Sequence, residues 1–67
     1  MKYRKLKEAI QEKGYRLDYI AKELGITPTT LSFKIKGTCI FKITEIYKII
    51  DILKLNQDEI MKIFFKL

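Results

Sequence analysis

The chain has 67 residues, with 14 Lys+Arg against 8 Asp+Glu, a formal net charge of +6, and neither His nor Trp. That length holds one domain, residues 1–67, which buries roughly 60% of its unfolded surface on folding. With no His, one Ser (Ser32) and one Cys (Cys39), the chain can build neither a nucleophile–His dyad nor a Cys–His metal cluster, so it is expected to be a binding protein without cofactor or small-molecule ligand.

The predicted elements fall between glycines. Residues 2–13 carry Tyr3, Leu6 and Ile10 at helical spacing and stop at Gly14. In residues 16–24, Leu17, Ile20, Ala21 and Leu24 stand at i, i+3, i+4 and i+7, one apolar stripe on a short amphipathic helix ended by Gly25. Ile26 is an apolar residue inside the turn. Thr27 is a good N-cap and Pro28 suits the first helical position, so a third helix is expected from Pro28 to about Lys36, closed by Gly37. Residues 38–42 form a short loop. A fourth helix over about 43–54 is expected to turn Ile43, Ile46, Ile49, Ile50 and Leu53 inward. Asn56–Glu59 has the form of a capping box and opens a fifth helix, with Ile60, Ile63, Phe64 and Leu67 inward. No segment alternates with period two for long enough to read as a strand. The longest uninterrupted apolar run is three residues, far short of a membrane span, and MKYRKLKEAI lacks the apolar core of a signal peptide. The three glycines stand eleven and twelve residues apart, which is no phosphate loop, and Asp58–Glu59 are neighbours on a helix rather than convergent metal ligands.

Two short helices joined by a Gly-containing turn form the helix-turn-helix pattern. The stretch IAKELGITPTTLSFKIKG, residues 20–37, resembles the Cro/repressor-like helix-turn-helix family, also called the xenobiotic-response-element type. Ile20-Ala21, Leu24-Gly25-Ile26-Thr27, Thr30-Leu31-Ser32 and Gly37 carry the likeness. Phe41, a helix containing Glu45 and ending at Leu53, and the terminal EIMKIFF extend it to small phage-type members, so it covers nearly the whole chain. The positions have physical reasons. Ala21 must be small where the helices cross, Gly25 supplies a positive φ, and Ile26 and Leu31 clamp the pair by shared burial. The resemblance implies an all-α, compact five-helix, lambda-repressor-like DNA-binding domain with helix-turn-helix at helices 2 and 3. The competing reading of the same spacing is an unrelated small helical bundle.

At about 100° per residue, Leu31 and Ile35 lie about 40° apart and define the buried side of the third helix. Thr29, Phe33 and Lys36 then face outward, flanked by Thr30 and Ser32. In the family this helix enters the major groove, so the resemblance implies base contacts from Thr29, Thr30, Phe33 and Ser32. Thr hydroxyls bond several base edges, and methyl and phenyl groups touch thymine methyls, which reads sequence less strictly than a bidentate Arg or Gln. An aromatic on that face calls for a cover: DNA, the edge of the core, or a protein partner.

Charge points to the same region. No acid lies between Glu23 and Glu45, whereas Lys34, Lys36 and Lys42 do, in a chain of pI near 9.6. Arg16, Lys36, Thr38, Lys42 and Lys34 are the candidate phosphate contacts. Lys2, Arg4, Lys5 and Lys7 form a second basic group, read first as a solvated helix face and second as a backbone contact. The chain departs from the family at Arg16, at Leu17 and at Lys34-Ile35, which inverts the more common order of apolar then Glu at the end of the third helix. Arg16 stands where a Ser or Thr cap is usual, and Leu17 where a Gln commonly bonds a phosphate, so Arg16 is the replacement candidate for that clamp.

A lone domain of this family most often acts as a dimeric repressor with half-sites about one helical turn apart. Dimerisation is expected through helices four and five; the last helix offers Phe64, Phe65 and Met61 as interface candidates, and Phe64 and Phe65 point about 100° apart. The expected partners are double-stranded DNA and a second copy, with no membrane. The expected setting is the nucleoid-associated cytoplasm of a bacterium, and the expected role that of a transcriptional regulator of phage or mobile-element origin. Twelve Ile and twelve Lys, with few Arg, suit a low-GC source. Two other classes fit the residues: an architectural or recombination accessory DNA binder, and an antitoxin-like protein-interaction module. Cys39 reads as incidental.

Overall fold

Local signals at α3 and α5 satisfy their free N-terminal backbone groups, and glycines end α2 and α3. The computed structural model describes residues 1–65; Leu67, expected to face inward, lies outside the described residues. Five helices follow in order: α1 (Arg4–Glu12), α2 (Leu17–Leu24), α3 (Pro28–Lys36), α4 (Ile43–Leu53) and α5 (Gln57–Ile60), the last continuing as a π-helical turn over Met61–Phe65. There is no strand among the described residues. Gly25 closes α2 in the left-handed region at φ 75°, which costs a residue without Cβ nothing. Thr27 then opens α3: its Oγ1 accepts the Thr30 N–H at 3.2 Å, and Pro28 follows where no N–H is needed. The Asn56 side chain accepts the Glu59 N–H at 2.8 Å, and Glu59 accepts the Asn56 N–H at 3.0 Å, the reciprocal pair expected from the sequence.

One core joins all five helices. Leu6 and Ile10 of α1, Ile20 and Ala21 of α2, Leu31 of α3 and Ile49 of α4 are wholly buried, with Ile35, Phe41, Leu53, Leu55 and Ile63 among those packed around them. α2 packs on α3 and α4, while α1 packs on α3 and on the π-helical turn. Ahead of α1, the Tyr3 N–H donates to the Ile35 carbonyl at 2.9 Å and the Lys2 N–H to the Lys36 carbonyl at 3.3 Å. The N-terminal segment thereby satisfies carbonyls that the end of α3 leaves free. Tyr3 also meets Phe41 edge-on at 5.2 Å and Phe64 at 6.0 Å, and Phe41 meets Phe64 at 6.3 Å. This aromatic cluster ties the N-terminus, the α3–α4 loop and the last helix together.

The inner face of α4 differs from expectation. Glu45, Ile49 and Leu53 point inward, Ile46 and Ile50 are half-buried, and Ile43 is 61% exposed. The sequence offers two apolar stripes on this helix, and periodicity alone does not choose between them. Glu45 chooses: held inward by Lys34, it fixes the helix rotation so that positions 49 and 53, one and two turns on, meet the core.

Candidate functional site

The outer side of α3 is presented as the helical angles require. Leu31 and Ile35 are buried, Thr29, Phe33 and Lys36 are exposed, and Thr30 and Ser32 are half-buried at the flanks. Phe33 has 43% of its surface free, so it neither joins the core nor finds an aromatic partner. Thr30 is partly committed, because its hydroxyl oxygen accepts the Thr27 hydroxyl at 2.9 Å.

Lys34, one of the expected phosphate contacts, is not available for that role. It is 6% exposed, and its ammonium donates to Glu45 Oε1 at 2.8 Å and to the Ile40 carbonyl at 3.0 Å, 5.9 Å from the centre of the Phe41 ring. It faces the α4 side of α3, where a carboxylate and a carbonyl answer its charge. Burial by itself would raise the Glu45 pKa. The Lys34 hydrogen bond, the Lys42 backbone N–H at 2.8 Å and the charges of both lysines outweigh it, and the carboxyl ionises below its ordinary value.

This pair does two things for the surface around it. It fixes the loop, together with the Phe33 carbonyl, which accepts the Thr38 and Cys39 N–H groups at 2.9 and 3.3 Å. Thr38 and Lys42 are therefore displayed from an ordered backbone, both exposed. It also neutralises the single carboxylate between Glu23 and Asp51. The surface of α3, the loop and the first half of α4 thus presents no free negative charge.

The flank of α3 away from Lys34 gathers residues that are distant in sequence. Met1, Lys7, Leu17, Ser32, Ile35 and Lys36 line a recess of about 30 Å³ where α1, α2 and α3 meet. Lys2 lies against Gly37, where the nearest approach to an added Cβ would be 2.9 Å. Lys2 and Lys7 thus border α3, although the sequence placed them first on a solvated face of α1. Their only signal was charge, and the docking of residues 2–3 on the α3 carbonyls had none. Arg16 is largely exposed at the N-cap position of α2, makes no cap bond there, and pairs with Asp18 at 3.5 Å.

Among the dimer candidates, Phe64 is half-buried within the Tyr3–Phe41 cluster and is used by the fold itself, because it follows the buried Ile63 onto the α1 side. Met61 is half-buried and Phe65 is 61% exposed. Cys39 is a free thiol, half-buried in the loop. Among the described residues no three His, Cys, Asp or Glu side chains converge on a metal position, and no helix is long and apolar enough to cross a membrane.

The arrangement defines a small all-helical protein with a basic, aromatic-bearing helix face. The chain belongs to the family described as "Protein of unknown function (DUF739)", which it matches over residues 1–67. No curated protein matches it significantly.

Proposed function

We propose that this protein is a sequence-specific reader of double-stranded DNA, a Cro-like helix-turn-helix regulator of transcription whose α3 enters the major groove. The observation that carries this reading is the outward face of α3, where Thr29, Phe33 and Lys36 stand free within a surface whose one carboxylate, Glu45, is buried and paired. On this reading Thr29, Thr30, Ser32 and Phe33 meet base edges, and Phe33 covers itself against thymine methyls. Lys36, Lys42, Thr38 and Arg16, joined by Lys2 and Lys7 at the rim of α3, hold phosphates and set the register without reading sequence. Lys34 acts through the fold, by fixing the loop that displays Thr38 and Lys42. The Cro-like resemblance of residues 20–37 supports the same assignment and adds the phage or mobile-element setting.

The test is fluorescence anisotropy on the DNA immediately upstream of the gene, beside a scrambled duplex of equal composition at one near-physiological salt. A preference of about 10³-fold or more is the expected result for a specific regulator. Equal affinity that falls steeply with salt on both duplexes would instead mark an architectural or recombination accessory binder. Loss of all DNA binding would favour a protein-interaction module, for which the exposed Phe33 is the observation in hand.

A further inference from the structure

The inward rotation of α4 leaves a second apolar stripe on its outer side. Ile43, Ile46, Tyr47 and Ile50 stand at i, i+3, i+4 and i+7, the spacing that lines one face of a helix. Ile43 and Tyr47 are 61% and 65% exposed, and Ile46 and Ile50 are half-buried beside them. Ile40, three residues ahead, has its carbonyl turned to Lys34 and is 88% exposed as a residue. Glu45, Ile49 and Leu53, edged by the half-buried Ile46 and Ile50, hold the helix on its own domain, which leaves Ile40, Ile43 and Tyr47 as the free part of the outer stripe. Together the outer residues offer roughly 500 Å² of apolar surface, as large as the largest patch a monomer of ordinary size tolerates.

We infer that this stripe is the contact between two copies of the chain, formed by α4 against α4 of the second copy. Charge favours a second copy over a foreign partner. A two-fold contact sets a surface against itself, which a patch of one sign would resist. The stripe itself carries no charged side chain, and Glu45 of the same helix is held on the opposite side by Lys34. The charged residues of the exposed flank, Lys48 and Asp51, are of opposite sign, and Lys42 and Lys54 lie beyond the two ends of the helix. Area fits as well. Two such patches bury about 1,000 Å², the lower bound for an interface that forms in solution. The pairing is therefore weak alone and gains when two α3 helices engage one duplex, since the second contact becomes intramolecular. This use of the dimer rests on the DNA-reading proposal; the contact itself does not.

The test needs no DNA, so its failure and that of the DNA reading are distinguishable. Sedimentation equilibrium of the full chain from about 1 µM to 1 mM should show the mass rising from the 8.0 kDa monomer toward twice that value. Tyr47→Glu and, separately, Ile43→Glu should hold the mass at the monomer throughout. Both positions are exposed, so the helical circular dichroism should be retained. Phe65→Glu should leave the association within about twofold of the parent protein. A parent chain that stays monomeric to 1 mM overturns the inference. So does a dimer that survives both α4 substitutions, or one that only Phe65→Glu dissolves.

Discussion

Replacing Lys34 by Met keeps an unbranched side chain only one atom shorter and removes its charge, leaving the Glu45 carboxylate inside the fold without its cation. Lys34 and Glu45 are each 6% exposed, so water does not take over the lost contact. Breaking one side of a buried ion pair costs about 3–5 kcal/mol. Here the lower end applies, because the Lys42 N–H still donates to Glu45 at 2.8 Å, although the Ile40 carbonyl loses its donor as well. For a domain of this size total stability is about 3–10 kcal/mol, so a loss of about 3 is a large fraction of it. The melting temperature should fall by about 12 °C or more at neutral pH. The pH dependence has a definite sign. In the parent protein Glu45 ionises below the ordinary 4.5, so its contribution is complete above about that pH and is lost as pH falls through the lower folded value. The gap between parent and Lys34→Met should therefore narrow in acid, where a neutral carboxyl tolerates burial. Lys34→Met combined with Glu45→Gln should recover to within about 1 kcal/mol of the parent, since no unpaired charge remains. Urea unfolding followed by circular dichroism at pH 7 and across the acid range reads all three proteins. A cost under about 1 kcal/mol for Lys34→Met at pH 7 would refute the reasoning, since that is the worth of an exposed pair.

Three further outcomes follow from the local geometry. Gly37→Ala should cost more than Gly25→Ala, about 2 kcal/mol against about 1. Both sit at positive φ (98° and 75°), but only at Gly37 would the new Cβ meet Lys2 Cβ, at 2.9 Å; equal losses in thermal melts would contradict this. Thr27→Ala removes the acceptor for the Thr30 N–H and should lower stability by about 1 kcal/mol, measurable as a shift in urea midpoint with unchanged slope. Phe33→Ala should leave the melting temperature within a few degrees, because the ring is half-free, yet reduce discrimination between upstream and scrambled duplexes at least tenfold. Unchanged discrimination there would remove Phe33 from the base-reading set.

The readable parts of the fold were those set by chemistry within one turn of the chain. Thr27-Pro28 and Asn56–Glu59 cap helices through side chains three residues from the groups they satisfy, and Gly25 and Gly37 end helices by their own backbone freedom. The outward face of α3 was legible for the same reason, because Leu31 and Ile35 fix its rotation by burial alone. Lys34 was not. A lysine among lysines reads as a surface charge, and only its approach to Glu45, eleven residues on, makes it interior. The inward turn of Phe64 on the last helix was legible from its spacing, but its half-buried place against Tyr3 and Phe41 was not, since those rings come from distant parts of the chain.

Composition and spacing alone therefore determined five short helices, their boundaries and a basic character, because caps, glycine turns and apolar periodicity act over a few residues. Tertiary structure decided which of two apolar stripes α4 turns inward, which lysine is spent inside the fold, and that Lys2 and Lys7 border α3. Those outcomes depend on pairs brought together from different helices. A buried charge accepts only a position where its partner waits, and no local spacing records where that partner will be.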